Sequence, residues 1–148
     1  MQLYSNNIRV IDSMPIPVCE FGRAHFSKCF KGEASYGICA SKKETYFGFK
    51  FHALTTVDGF LTDYVITPAN IDDRNAVWDL CDKYRSISII GDKGYINKRL
   101  TPELKSERDI DLLFLKRANS RDNYPKEVRQ LLFKVRRRIE TSFSQLTE

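Results

Sequence analysis

The sequence predicts an α/β domain in which a five-stranded mixed sheet carries helices on both of its faces. Residues 45–67 alternate apolar and polar side chains around an Asp-Gly turn, which is typical of an antiparallel hairpin. Residues 87–90 and 110–115 are short, nearly continuous apolar runs, which is typical of buried parallel strands. The helical spacing of apolar side chains in residues 126–147 predicts a long helix with one buried face.

The first predicted strand comprises residues 8–11 and ends on an acid, Asp12. Two prolines follow at positions 15 and 17, and we expect the strand to end before them because proline lacks a backbone donor. Residues 14–45 are basic, contain glycine and have no clear periodicity, so they predict a long loop that is either functional or contains short elements. The hairpin then provides the second and third strands.

Two helices are predicted to connect the remaining strands. The first begins at the capping residues 70–73 and crosses over to the fourth strand, residues 87–90. Gly91 ends that strand directly before Asp92, and the second helix then leads to the fifth strand. Two strands therefore end on an acid, a position that often carries chemistry in α/β sheets. Asp92 has a second interpretation, because it could cap the helix that follows it.

The positive charge of the chain indicates a polyanionic partner. Its formal net charge is +5 over 148 residues, and residues 116–138 contain nine Lys or Arg against two Asp or Glu. Such a stretch favours contact with nucleic acid, although a solvated helix face has the same composition. If the stretch binds phosphates, its binding depends steeply on the salt concentration.

The remaining composition indicates a cytoplasmic protein. No apolar run is long enough to cross a bilayer, and the polar first nine residues lack the apolar core of a signal peptide. The four cysteines form no Cys-x-x-Cys pair and the two histidines stand alone, which favours reduced thiols over a structural zinc site.

Three acids form a pattern that local structure does not require. Asp12 ends the first strand, Asp92 ends the fourth, and Glu140 lies at the edge of the buried stripe of the last helix. If those strands are neighbours, Asp12 and Asp92 lie in one crevice, because adjacent strands are about 5 Å apart. A helix packed over that edge could bring Glu140 to the same place. Clustered carboxylates repel one another unless a cation joins them, and two divalent ions about 4 Å apart support phosphoryl displacement.

Four ordered motifs in the chain resemble those of one known family. They are VIDSMPIPV at residues 10–18, GFKFHALTTVDGFLTDYVITPANIDDR at residues 48–74, IIGDKGY at residues 89–95 and FKVRRRIETSFSQL at residues 133–146. Together they resemble the landmarks of the DDE transposase domain of bacterial insertion sequences, over residues 8–146. The resemblance implies a ribonuclease-H-like fold whose five strands have the order 3-2-1-4-5.

The resemblance also implies a reaction and its ligands. Asp12, Asp92 and Glu140 match the catalytic residues of the family, which bind Mg²⁺ or Mn²⁺, with two ions expected. The implied reaction is DNA strand cleavage followed by strand transfer, with water and then a DNA 3′-hydroxyl as nucleophile. The implied partners are double-stranded DNA, at insertion-sequence ends and at the target, and a second subunit in a homodimer. The implied location is the bacterial cytoplasm, in association with the nucleoid.

The last motif of the family commonly reads Tyr, two residues, Arg, three residues, Glu, six residues, Lys. This chain has Phe133, Arg136 and Glu140 at three of these positions and Thr147 at the last. The two exchanges remove a phenolic hydroxyl and an ammonium group that could contact DNA, and they leave the expected metal ligands intact. Arg136 has a second interpretation as the partner of Glu140 in a helical ion pair.

Seven residues are expected to contact DNA, namely Lys50, His52, Lys93, Tyr95, Phe133, Arg136 and Arg137. For Lys93, solvation at the surface is the alternative. For Tyr95 and His52, the alternative is packing or hydrogen bonding inside the domain.

The extent of the chain differs from that of the family. It begins seven residues before Ile8 and ends eight residues after Glu140. We therefore expect residues 1–148 to form a single catalytic core, truncated at both ends and without the N-terminal DNA-recognition region. Two other functions remain open: a nuclease of the same fold that only hydrolyses DNA, and an inactive remnant that binds DNA with or without Mg²⁺.

Overall fold

The computed structural model describes residues 7–39, 42–95, 97–114 and 124–147. Within these ranges six strands form one mixed sheet. The strands are β1 (Ile8–Pro17), β2 (Ser35–Cys39), β3 (Glu44–Thr56), β4 (Leu61–Pro68), β5 (Ser88–Gly91) and β6 (Asp111–Phe114). The helices are α1 (Asp73–Leu80), α2 (Leu100–Arg108) and α3 (Lys126–Thr147).

The order of the strands confirms the predicted sheet. β3 pairs antiparallel with β1, β2 and β4, whereas β1 pairs in parallel with β5, and β5 in parallel with β6. The five predicted strands are therefore arranged β4-β3-β1-β5-β6, which is the expected 3-2-1-4-5 order of a ribonuclease-H-like domain. β2 is an additional strand, and it pairs with residues 44–48 at the start of β3.

The structure corrects the predicted end of β1. The strand does not end at Asp12 but continues through both prolines to Pro17, with Asp12 opposite Ala53 of β3. β1 pairs with β5 only from Ile8 to Val10, so beyond that point β3 is its strand partner in the described part of the chain. Proline is tolerated in a strand with one open edge, because no ladder hydrogen bond is lost there.

The predicted loop at residues 14–45 is corrected in part. It contains the second half of β1, a 3-10 turn at Phe21–Arg23 and β2, so the alternative of short unrecognised elements is the correct one. β2 lies at the margin of the sheet, and its apolar residues Tyr36 and Ile38 are exposed. Without a buried apolar face, β2 has no sequence pattern that predicts a strand.

Helices cover both faces of the sheet, as predicted. Successive side chains of a strand point to opposite faces, so Ile11 of β1 faces α1 and α2 while Val10 faces α3. The larger buried cluster joins the sheet to α1 and α2, and its members are Ile11, Leu54, Val77, Leu80, Cys81, Ile87, Ile89, Tyr95, Leu100, Leu104, Ile110 and Leu112. On the other face, Val135 and Ile139 of α3 pack on Val10.

α3 is also held to the turn between β3 and β4. Arg138 donates from Nη1 to the carbonyl of Val57 at 3.2 Å, and Ser142 donates from Oγ to the carbonyl of Gly59 at 3.4 Å. These bonds and the apolar contact with Val10 fix the part of α3 that follows Arg136.

The four cysteines are free thiols, with Cys81 buried and Cys29 exposed. Burial raises the pKa of the Cys81 thiol to about 12, so this thiol stays protonated and unreactive at neutral pH. Among the described helices, none combines the length and the apolarity that a membrane span requires.

Gly48 lies where β3 is flanked by Pro17 of β1 and by Ser35 of β2. A methyl group on Gly48 would overlap the carbonyl oxygen of Ile16, so the backbones would have to move apart. We expect Gly48→Ala to lower the unfolding free energy by about 1–3 kcal/mol in urea denaturation. Gly22→Ala is the matched control, because a methyl group there meets nothing within 4 Å. Equal effects of the two substitutions would contradict the steric argument.

Candidate active site

The pairing of β1 with β5 brings two of the predicted acids together. Val10 lies opposite Ile90 in this parallel pair, so Asp12 and Asp92, each two residues further along, lie at the same level on neighbouring segments. By the alternation of strand side chains, Asp12 shares the direction of Val10, which faces α3. Asp12 and Asp92 line one cleft together with Arg136 of α3.

The cleft lies at the junction of β1, β5 and α3. Its lining consists of Val10, Ile11, Asp12, Ile90, Gly91, Asp92, Arg136 and Ile139. A Cβ atom on Gly91 would lie only 2.8 Å from Cγ2 of Ile11, so glycine allows the two segments to approach closely. The residue that marks the end of the predicted strand therefore also keeps the two acids near each other.

α3 supplies the third predicted acid. Ile139 is buried against Val10, and the next residue, Glu140, is exposed at the margin of that contact. Arg136 lies one turn earlier and donates from Nε to Oε1 of Glu140 at 3.2 Å. The ion-pair interpretation of Arg136 is therefore correct. Its side chain and that of Glu140 are 48% and 59% exposed. Solvent therefore screens the ion pair, and breaking it costs little free energy.

The electrostatics of the cleft raise the pKa of Asp12 to about 6. Burial is the largest cause, because it disfavours the charged carboxylate. The Ser13 amide, which donates to Oδ1 of Asp12 at 2.8 Å, and the Arg136 guanidinium lower the pKa, while the charges of Asp92 and Glu140 raise it. The charges of Asp92, Glu140 and Arg136 thus act on Asp12, and an ionised Asp12 is unfavourable unless more positive charge is close.

The chemistry of these side chains suits a hard divalent cation, because Mg²⁺ and Mn²⁺ prefer carboxylate oxygens. In their present positions, the described side chains include no group of three His, Cys, Asp or Glu residues that could hold a metal ion. The carboxylate of Glu140 is engaged by Arg136. The residues therefore fit an ion by donor type, with two donors in the cleft and the third bound to a neighbouring guanidinium.

Three of the residues expected to contact DNA are engaged inside the protein. Tyr95 and His52 are 2% and 0% exposed, so neither side chain reaches a surface that DNA could contact. Lys50 pairs with Asp73, at 2.6 Å from Nζ to Oδ1, and also donates to the carbonyl of Ile71 at 3.2 Å. The structure corrects the expectation for Tyr95 and His52, for which the packing alternative holds, and it gives Lys50 a partner within the domain.

Three other residues that are expected to contact DNA lie on the exposed side of α3. Phe133, Arg136 and Arg137 are exposed there, and Phe133 is 55% exposed although it is apolar. The side chain of Lys93 and residues 116–123 of the basic stretch lie outside the described part of the structure. The expectation of DNA contact therefore rests on α3.

A buried polar network beneath the cleft was not predicted. Tyr95 shares a side-chain hydrogen bond with Ser13, and its Oη lies 3.3 Å from Nδ1 of His52. Nε2 of His52 lies 3.1 Å from Oγ1 of Thr67. Ser13 and Thr67 carry no sequence signal, since hydroxyl residues are common in strands. The signal that points to this region is the presence of Tyr95 three residues after Asp92 in the motif IIGDKGY.

A comparison with models of protein families agrees with the predicted family. The sequence matches a family model described as the transposase DDE domain over residues 4–148. The structure is similar to a cryo-EM structure of the piggyBac transposase synaptic complex with hairpin DNA, with 13% sequence identity and a TM-score of 0.49. That alignment covers 83% of this chain and 25% of the other, so this chain spans about a quarter of the other protein's length. No curated protein matches the sequence.

We expect Asp12→Asn to stabilise the folded protein at neutral pH. The pKa of about 6 lies above the ordinary 3.8, so ionised Asp12 opposes folding fully above about pH 6, and this cost disappears as the pH falls below 4. The substitution should therefore raise the unfolding free energy by about 2–3 kcal/mol near pH 8 and leave it unchanged near pH 4. Urea denaturation at both pH values checks this expectation.

Glu107→Gln, at an exposed acid of α2, is the control for this measurement and should be neutral at both pH values. If Asp12→Asn unfolds more easily than the wild type near pH 8, the argument from burial is wrong.

Proposed function

Because the chain belongs to the transposase DDE domain family, we propose that it catalyses DNA strand cleavage and strand transfer with divalent metal ions. The observation that supports this proposal is that Asp12 and Asp92 line one cleft, while Glu140 lies beside it on α3, paired with Arg136 of the cleft wall. Folding alone does not require three acids at such a junction, and their mutual repulsion opposes folding. A role in binding cations accounts for their position.

Asp12 and Asp92 are the proposed ligands within the cleft, and Glu140 of α3 would be the third ligand. Mg²⁺ or Mn²⁺ is the proposed cofactor, with two ions at the site. When bound, such ions stabilise the charge that develops on phosphate and activate the attacking oxygen. The protein contributes the poorly solvated carboxylate of Asp12, since a carboxylate removed from water attracts a cation more strongly.

Arg136 is proposed to change partners during this process. It borders the cleft beside Asp12 and pairs with Glu140. If Glu140 held a cation instead, the guanidinium group of Arg136 would be available to a phosphate oxygen at the mouth of the cleft. The planar donor pattern of arginine suits such an oxygen.

Double-stranded DNA is the proposed substrate, first at the ends of an insertion sequence and then at the target. The exposed side of α3 beside the cleft carries Phe133, Arg136 and Arg137, which we propose as contacts to the DNA. Following the family resemblance, the proposal includes a homodimer that acts in the bacterial cytoplasm at the nucleoid. The 3′-hydroxyl released by cleavage is the proposed nucleophile of strand transfer.

An inactive DNA-binding remnant is the second candidate function. It is favoured by the pairing of Glu140 with Arg136 and by the absence, within the described ranges, of three donor side chains grouped for a metal ion. A remnant binds DNA equally with and without Mg²⁺. A nuclease of the same fold is a third outcome, because it cuts DNA but does not join pre-cleaved ends to a target.

Mn²⁺ should stabilise the protein through Asp12 and Asp92. At a concentration of about 100 times the dissociation constant, the ion should raise the unfolding free energy by about 2.7 kcal/mol. Asp92→Asn should abolish this stabilisation together with cleavage of a labelled insertion-sequence end, whereas Glu107→Gln should retain both. Anomalous diffraction from crystals soaked in Mn²⁺ gives the direct check. No peak beside Asp12 and no stabilisation would support the remnant instead.

Arg137→Gln should weaken DNA binding without changing its sequence preference. Loss of one phosphate contact should reduce the slope of log affinity against log salt concentration by about 1, measured by fluorescence anisotropy. Arg85→Gln is the matched control, because Arg85 is exposed before the start of β5 while Asp92 follows the end of that strand. If the two variants bind DNA equally well, the exposed side of α3 is not the DNA interface.

A further inference from the structure

The two acids of the cleft lie on segments that need a link beyond strand pairing. The register of β1 with β5 runs from Ile8 opposite Ser88 to Val10 opposite Ile90, and Asp12 and Asp92 lie two residues past its end. At these positions the separation of the two carboxylates depends on other contacts.

One end of such a link is the backbone of Tyr95. A 3-10 turn follows Asp92 directly, at Lys93–Tyr95, and the amide of Tyr95 donates to the carbonyl of Asp92 at 3.1 Å. The turn returns the chain beneath the sheet, where the Tyr95 ring is buried in the cluster that α1 and α2 cover. The conformation at Asp92 is thereby tied to the position of Tyr95.

The other end of the link is the phenolic oxygen of Tyr95. It shares a hydrogen bond with the side chain of Ser13, and the amide of Ser13 donates to Oδ1 of Asp12 at 2.8 Å. Ser13 and Asp12 point to opposite faces of β1, so Tyr95 acts on Asp12 from behind the strand without entering the cleft. A continuous path of hydrogen bonds therefore runs from Asp92 through Tyr95 and Ser13 to Asp12.

His52 holds the phenol in place. Its Nδ1 lies 3.3 Å from the Tyr95 hydroxyl, and its Nε2 lies 3.1 Å from Oγ1 of Thr67. Burial lowers the pKa of His52, so the imidazole is neutral and has one donor and one acceptor nitrogen. In the tautomer protonated at Nε2, that nitrogen donates to Thr67 and Nδ1 accepts from Tyr95, whose oxygen can then accept from Ser13. In that tautomer each hydrogen bond of the path joins one donor to one acceptor.

We propose that Tyr95, supported by His52, is a positioning residue that sets Asp12 relative to Asp92 for cation binding. The inference rests on the proposed function and adds to it a residue pair that does not contact DNA or the ion. The ring of Tyr95 meets that of His52 edge to face, with centroids 6.3 Å apart, so Tyr95→Phe can remove the hydroxyl and keep the packing. Ser13→Ala breaks the same link from its other end.

Ile110→Val is the control for a general loss of stability. Ile110 is fully buried in the same cluster but does not belong to the hydrogen-bonded path. Tyr46→Phe is the control for the chemical change, because Tyr46 is a buried tyrosine whose hydroxyl has no hydrogen-bond partner among the described atoms. All variants are compared in the full chain.

Amide hydrogen exchange without added metal tests the link by itself. Tyr95→Phe and Ser13→Ala should speed exchange at the amides of residues 13 and 95 by about tenfold or more relative to the helix amides of α2. Ile110→Val and Tyr46→Phe should not speed exchange at these two amides more than at the helix amides of α2. Uniform changes in all variants would overturn the positioning role.

Mn²⁺ binding, measured by titration calorimetry, tests the consequence for the site. Tyr95→Phe and Ser13→Ala should each lower the affinity for Mn²⁺ by about 10- to 100-fold. The double variant should bind Mn²⁺ no more weakly than the weaker of the two single variants. If the wild type binds Mn²⁺ and these variants bind it equally well, the positioning role is overturned and the proposed function stands. If the wild type binds no Mn²⁺, the proposed function fails, and hydrogen exchange alone decides whether the link exists.

Discussion

The parallel pairing of β1 with β5 is the contact on which the rest of this structure depends. It comprises three residue pairs, from Ile8 with Ser88 to Val10 with Ile90, yet it joins the antiparallel part of the sheet to the parallel part. The side chains of β1 then divide the core, since Ile11 packs under α1 and α2 while Val10 packs under α3. The same register places Asp12 and Asp92 at the same level of the sheet. One strand pairing therefore determines both the fold and the arrangement of the site.

The charges of the site lower the stability of the folded protein. Burial gives Asp12 a raised pKa, and the charges of Asp92 and Glu140 add to the cost of its ionisation. Arg136 offsets part of that cost from an exposed position, where water screens its charge. Such a balance is typical of functional clusters, in which stability is given up for a particular arrangement of charge.

Most of the sheet and the last helix could be predicted from the sequence. The alternation in the hairpin and the helical spacing in residues 126–147 are properties of local segments. The three acids were also identified from local patterns, although Asp12 lies within β1 and not at its end. The extension of β1 through Pro17 was not predictable, since it depends on β3 being the one strand, among the described residues, that pairs with β1 there. The burial of Tyr95 also depends on partners from distant segments, which a local motif does not reveal.

The position of Glu140 on α3 has a consequence during protein synthesis. Asp12 and Glu140 are 128 positions apart (140 minus 12), and α3 borders the cleft through contacts of similar range, such as that of Ile139 with Val10. Contacts of this range form late, because a long loop must close first. A nascent chain that has exposed β1 and β5 but not α3 carries two of the acids without the third. The proposed metal site would therefore be complete only after α3 has left the ribosome.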